Sequence, residues 1–249
     1  MGVFYELANP ERFERIAKPL QPALTAIAVL LGGAGLYYAL FNSPADYQQG
    51  DTVRIMYVHV PAAWMALFCY SVMAFSSAAG FIWKHPLADV SAKVTAPIGA
   101  VFTALALFTG SLWGKPMWGA WWAWDARLTS VLILFFLYLG YIAIWESIDD
   151  KARAARLAAI VAIVGFVNIP IIKFSVDWWN SLHQPASVFR DGGPTIDGSM
   201  LRPLFLMGAA YMIGFGAMLI AAIRNELMAR RLQRLSEVAG RKASTVNVE

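Results

Sequence analysis

Six stretches of this chain carry no charged residue and are dominated by apolar side chains: 19–45, 55–83, 94–114, 128–145, 157–172 and 203–223. A helix needs about 20 such residues, within a range of about 17–25, to cross a bilayer. Buried in hydrocarbon, each backbone N–H and C=O must find its partner inside the segment, which leaves helices as the reading for runs of this length. Only 14% of the residues are charged and 59% are hydrophobic, against about 25% charged in an average soluble domain. A water-soluble globular enzyme is therefore excluded. The single cysteine, Cys69, rules out an intrachain disulfide and a CxxC metal or redox site. The expected fold is all-α: a polytopic membrane protein with six transmembrane helices.

Run 157–172 is the shortest. Lys173 can snorkel and let Phe174 and Val176 lengthen it, and Asn168 with Pro170 predicts a kink near its outer end. The first run does not look like a cleavable signal peptide, because 18 residues of mixed charge precede it. Residues 1–18 read instead as an amphipathic segment on the membrane surface, with Asn9-Pro10 as its cap. The expected division is 1–18 as that segment, 19–223 as a six-helix membrane domain, and 224–249 as a basic tail.

Lysine and arginine set the orientation. Arg12, Arg15, Lys18, Lys84, Lys93, Lys151, Arg153, Arg156, Arg224, Arg230, Arg231, Arg234, Arg241 and Lys242 fall on one side, 14 of the 20. Arg54, Lys115, Arg127, Lys173, Arg190 and Arg202 fall on the other. The positive-inside rule then places both termini in the cytoplasm and three segments outside, roughly 42–57, 113–127 and 175–202.

Segment 113–127 is the densest in aromatic residues. Trp118, Trp121, Trp122 and Asp125 recur at i, i+3, i+4 and i+7, which predicts a short interfacial helix with an indole platform and a carboxylate at its end. Trp124 adds a further indole, and Pro116 would sit near the start of that helix. An aromatic belt is the plain alternative, but a belt spreads its anchors over all helix ends. A stacking surface for a flat conjugated ligand fits the clustering better. Asp125 has a plainer role open to it as a helix cap or as a partner of Arg127.

His59 lies at the outer start of the second run, and His183 lies in the loop after the fifth. Both are near tryptophans. Two imidazoles on one side of the membrane suit the two axial positions of an iron porphyrin. His85, in an inner loop, reads as solvated. Arg54 and Arg127 are the candidates for the propionates of such a ligand, with interfacial anchoring as their alternative role. There is no GxxxxGK[ST], so this chain carries no P-loop ATPase, and no CxxCH, so it is not a covalent c-type cytochrome. No span centre holds an ionisable residue, which argues against an ion-coupled transporter.

The run Trp118-Gly-Ala-Trp-Trp122-Ala-Trp124-Asp-Ala-Arg-Leu-Thr-Ser130 resembles the tryptophan-rich WWD signature of the heme-handling membrane proteins of cytochrome c maturation. The six-span layout and the two histidines are similar to the heme exporter protein C (CcmC) family in particular, over residues 10–225. Trp121 is the one modest departure, standing where another aromatic is expected. That resemblance implies a bacterial inner-membrane protein that holds heme b on its periplasmic face and passes it to a membrane-anchored heme chaperone. It implies an ABC transporter ATPase and permease and a small single-span subunit as partners, with membrane lipid and no nucleic acid. It also implies that the chain is a transfer component rather than an enzyme. Under the resemblance His59 and His183 are the axial ligands, and 118–125 the platform for heme and chaperone. A transporter for another flat amphiphile, or a scaffold, remains the competing reading. A b-type electron carrier is disfavoured because no span interior holds a histidine pair.

Overall fold

The computed structural model describes residues 10–185 and 187–246. Its order is α1 (Pro10–Tyr37), a π-turn (Tyr38–Asn42), a 3-10 turn (Asp51–Ile55), α2 (Met56–Trp83), α3 (Pro86–Trp118), α4 (Ala126–Ser147), α5 (Lys151–Gly165), α6 (Asn168–Trp178) and α7 (Gly198–Val246). Helices α5 and α6 follow one another as a single broken span, and six spans in all are long and apolar enough to cross a membrane. No strand occurs among the described residues. The fold is all-α.

The tightest pair is α2 with α3, a hairpin turned by Lys84 in the left-handed conformation (φ 51°). His85 is not merely solvated. Its Nδ1 accepts the Ala88 N–H at 3.3 Å and so caps α3. The turn is short enough that residues equally far from it face each other. Gly80 and Asp89, four before Lys84 and four after His85, are in contact, a Cβ on Gly80 falling 1.8 Å from the Asp89 carboxylate.

Around that hairpin α4, α5 and α7 bury one core of Met65, Cys69, Tyr70, Met73, Leu134, Tyr138 and Tyr141. Tyr138 donates to the Ala66 carbonyl at 2.8 Å, so this fully buried hydroxyl is satisfied inside the bundle. Small residues let the backbones approach: Ala154, Ala158 and Ala162 are fully buried along one side of α5.

One end of the bundle is closed by charge. Lys93 bonds Glu226 at 2.9 Å, Arg230 bonds the same carboxylate at 2.8 Å, and Arg224 bonds Glu14 at 2.7 Å. Of the six basic residues assigned to the other side, five lie near or beyond the opposite ends of these helices, and Lys173 stands midway along α6. The charge segregation seen in the sequence is thus a segregation in space. Residues 10–18 form the first turns of α1 and continue into it without a break, with Ala17 buried, so a separate surface element does not occur there. The Asn9 cap lies outside the described residues. The kink expected in the fifth span appears as the break at Phe166 and Val167, where Asn168 turns its amide to the Ser130 carbonyl at 2.8 Å.

Gly99 allows Tyr138 to lie against α3, and a Cβ there would sit 2.3 Å from the ring. Gly99→Ala should lower the apparent melting midpoint in detergent by an amount matching an overpacking cost of about 1–3 kcal/mol. Gly33→Ala meets nothing within 4 Å and should leave the midpoint unchanged or raised.

Candidate functional site

Helix α3 supplies the wall of the site in its last three turns. Thr109, Gly110, Trp113, Gly114 and Trp118 recur at i+1, i+4, i+5 and i+9. His59, in the first turn of α2, lays its ring against this wall. Its Nδ1 is 3.1 Å from Thr109 Oγ1, and its ring meets that of Trp113 edge-on, centroids 5.7 Å apart. Gly110 is what allows the approach, because a Cβ there would come within 2.9 Å of His59 Cε1. His59 and Gly110 obey the hairpin register: each is 25 residues from the turn (84 − 59 and 110 − 85).

Trp118 folds back over Gly114, and His183 meets its ring edge-on at 5.0 Å between centroids. His183 belongs to the connection between α6 and α7. Its Nδ1 lies 3.3 Å from Asp125 Oδ2. That same oxygen accepts the Ser181 hydroxyl at 2.7 Å and the Leu182 N–H at 3.2 Å. The second carboxylate oxygen accepts the Leu128 N–H at 2.7 Å, so Asp125 also caps α4. One carboxylate therefore joins the start of α4 to the loop after α6. The two imidazoles are close enough for a charge on one to act on the other.

Burial holds the His183 imidazole below its ordinary value in spite of the neighbouring carboxylate, with the Arg127 charge adding to the effect. The lowered value favours the neutral ring. For Asp125, burial pushes the carboxyl up, but the bonds from Leu128, Ser181 and His183 outweigh it and hold the carboxyl below its ordinary value.

The expected short Trp helix does not exist. Helix α3 runs through Pro116 to Trp118 and stops at Gly119 in the left-handed conformation (φ 74°), whose N–H bonds the Lys115 carbonyl. Residues 119–125 then run as a non-helical connection to the Asp125 cap. The i, i+3, i+4, i+7 face is thus broken after its first member. Pro116 sits in the last turn of α3, not in a first turn. Trp121 and Trp124 are open, 55% and 79% exposed, and Trp121 takes the Lys115 ammonium over its ring. Trp122 packs edge-on against Trp124, and its buried Nε1 has no acceptor among the described residues.

Of the two arginines, Arg127 reaches the site's margin, its Nε donating to Ser175 Oγ at 3.1 Å. Arg54 does not join the cluster. Its guanidinium donates to the carbonyls of Ala39 and Leu40, which the π-turn leaves open, and pairs with Asp51. His85 caps the far end of α3, about 35 Å from Thr109 along the helix. Thr109 was missed by sequence reasoning, Gly110 counted only as half of a weak Gly110-xxx-Gly114 packing motif, Ser181 was missed, and Trp113 entered only as the start of the aromatic segment. Counting outward from the Lys84-His85 turn would have found the first two. Exposed aromatics also flank the site at Phe174, Trp178 and Trp179, the first two stacked.

The sequence profile of the family described as heme exporter protein C matches residues 3–238. The chain is 56% identical over 230 residues to heme exporter protein C of Bradyrhizobium diazoefficiens, covering 92% of this chain and 87% of that one. It is 42% identical over 236 residues to heme exporter protein C of Escherichia coli K12 (94% and 95% covered). To the protein of the same name from Paracoccus denitrificans it is 41% identical over 232 residues (93% and 96% covered).

Asp125→Ala should free the loop. Amide exchange of a 179–185 peptide, followed by mass spectrometry, is expected to speed up, with a loss of about 0.5–2 kcal/mol from the α4 cap. Acid should do the same in the unaltered protein. A His183 value lowered by folding contributes most above the ordinary imidazole range, and that contribution is lost as pH falls from it. The lowered Asp125 value protects the tether until the pH passes below the ordinary carboxylate range. The protection factor of that peptide, its exchange corrected for the intrinsic pH dependence, should therefore be lower at pH 5 than at pH 7.5.

Proposed function

The chain belongs to the heme exporter protein C family, and from that premise we propose that it holds heme at the periplasmic face of a bacterial inner membrane. There it passes the heme to a membrane-anchored chaperone during maturation of c-type cytochromes. The observation that carries the reading is the convergence of His59 and His183 on the outer end of α3. They come from different connections and share the wall of Trp113 and Trp118. Each ring is anchored through Nδ1, and neither Nε2 is hydrogen-bonded among the described residues. A pair of neutral imidazoles with one nitrogen each to spare suits the two axial positions of iron, and the indoles offer apolar area to a porphyrin. The residues present therefore fit the cargo, heme b.

Arg127 and the unpaired Trp122 N–H offer donors for propionates, Arg127 needing to shift away from the Ser175 hydroxyl and the Lys173 carbonyl. Arg54 would first have to leave the π-turn carbonyls, so it ranks behind them. The open faces of Trp121 and Trp124 suit the chaperone, since bulky indoles stand exposed on a segment without regular structure. Transfer needs one ligand to leave before the other. His59 sits on a helix, whereas His183 sits on a loop tied down by Asp125, so His183 is the ligand to release first. The chain acts as a transfer component beside an ABC transporter ATPase, its permease and a small single-span subunit, and performs no ATP hydrolysis itself. A role as carrier of another flat amphiphile would leave the matched nitrogen pair without a use.

Protein purified in mild detergent is expected to show a Soret band. His59→Ala and His183→Ala should each weaken or shift it, and His85→Ala should leave it alone; equal effects from all three would defeat the clamp. For orientation, Ala123→Cys should react with a membrane-impermeant thiol reagent from the periplasmic side, Cys69 being buried and silent. Labelling from the cytoplasm alone would invert the topology.

A further inference from the structure

Both histidines of the site are held through the same ring nitrogen, and the partners decide which tautomer each adopts. The Thr109 hydroxyl has one proton. It goes to the Leu105 carbonyl at 2.7 Å, so Oγ1 has only lone pairs to offer His59 Nδ1 at 3.1 Å. Nδ1 must therefore carry the hydrogen. At His183 the partner is an ionised carboxylate, which can only accept, and Nδ1 at 3.3 Å again carries the hydrogen.

We propose that Thr109 and Asp125 are positioning residues that fix both imidazoles as Nδ1–H tautomers, so that the two Nε2 lone pairs are presented to one iron. This inference rests on the heme reading above. A ring whose outer nitrogen donates to a fixed acceptor is oriented and made more basic toward a metal at the other nitrogen. The two acceptors differ. The Thr109 hydroxyl is neutral, while Asp125 is charged and polarises its ring more strongly. His183 is therefore the stronger donor to iron while Asp125 holds it, and an ordinary imidazole once Asp125 lets go. Gly110 belongs to the same device, because any larger residue would push His59 off Thr109.

The test uses the full chain in nanodiscs with 15N-labelled histidine rings. Without heme, the unaltered protein should show His59 and His183 protonated on Nδ1 and bare on Nε2. Asp125→Asn retains a good helix cap but removes the charge. It should weaken heme binding by about 10–100-fold, raise the heme midpoint potential and move the His183 nitrogen signals alone. Thr109→Val should move the His59 signals alone and weaken binding less, because it removes a neutral partner rather than a charged one; Thr109→Ser should restore both. A purely structural role for Asp125 would leave the potential unmoved. Nε2–H on either ring in the heme-free protein would overturn the proposal. So would wild-type affinity and potential in both Asp125→Asn and Thr109→Val. An unaltered protein with no Soret band, or one indifferent to His59→Ala and His183→Ala, would defeat the heme reading instead. The nitrogen signals of the heme-free protein would still decide the tautomers.

Discussion

The close packing of α2 on α3 is the interaction on which the rest of the molecule depends. Two helices joined by two residues can slide very little against each other, so the turn at Lys84 and His85 sets the register over their whole length. Gly80 accepts Asp89 near the turn, and Gly110 accepts His59 near the far end. At both marks the residue on one helix of the hairpin has no side chain, so its partner's polar side chain can lie against the opposite helix. The bilayer tightens this requirement. A polar side chain inside it must find a protein partner or remain unpaired, so an imprecise register would be expensive.

The spans and the break in the fifth were legible because the bilayer imposes a length and excludes charge, and both constraints are one-dimensional. The Trp segment was not legible by the same means. Periodicity at Trp118, Trp121, Trp122 and Asp125 says which residues share a face if the segment is helical, but it is silent on whether the helix continues. Gly119 and Asp125 answer that question. A left-handed glycine ends α3 and an aspartate cap begins α4, and both are local signals that outweigh a run of favourable spacing. Residues 10–18 misled for the converse reason. Their charges suggest a surface, but Glu14 finds its partner on Arg224, 210 residues along the chain, a pairing that no local pattern contains. His59 and His183 were legible as residue types on the right side. Thr109 became visible only through the register, because a threonine inside an apolar run has no distinguishing pattern of its own.

The two ends of the bundle are closed in different ways. At one end Lys93, Glu226 and Arg230 form a partly buried network that ties α3 to α7, and Arg224 ties α7 to α1. Charged groups sharing partners in this way resist being pulled apart, because each departure leaves a partly buried charge unpaired. At the other end the closing bonds come from hydroxyls, backbone amides and neutral imidazoles. Bonds between neutral groups of this kind are worth about 0.5–1.5 kcal/mol net and those to the Asp125 carboxylate about 1.5–3 kcal/mol, without the cost of stranding a second charge. Rearrangement is therefore expected at the histidine end, with the opposite end as the fixed base.

Within that softer end, Asp125 is the point where the bonds meet. It accepts from Leu128 through one oxygen and from Ser181, Leu182 and His183 through the other. An oxygen taking three donors shares its charge among them, so losing one strengthens the bonds to the rest. Removal of His183 from Asp125 thus costs less than the sum of its parts, provided Ser181 and Leu182 stay. His59 has no such reserve. It is fixed to a rigid helix through Thr109 and bounded by Gly110 and Trp113. Under the proposed heme role, one fixed and one exchangeable imidazole would grip firmly and let go in order. That ordering follows from where each ring's hydrogen-bond partner is anchored, on a helix for one and at the junction of a cap and a loop for the other.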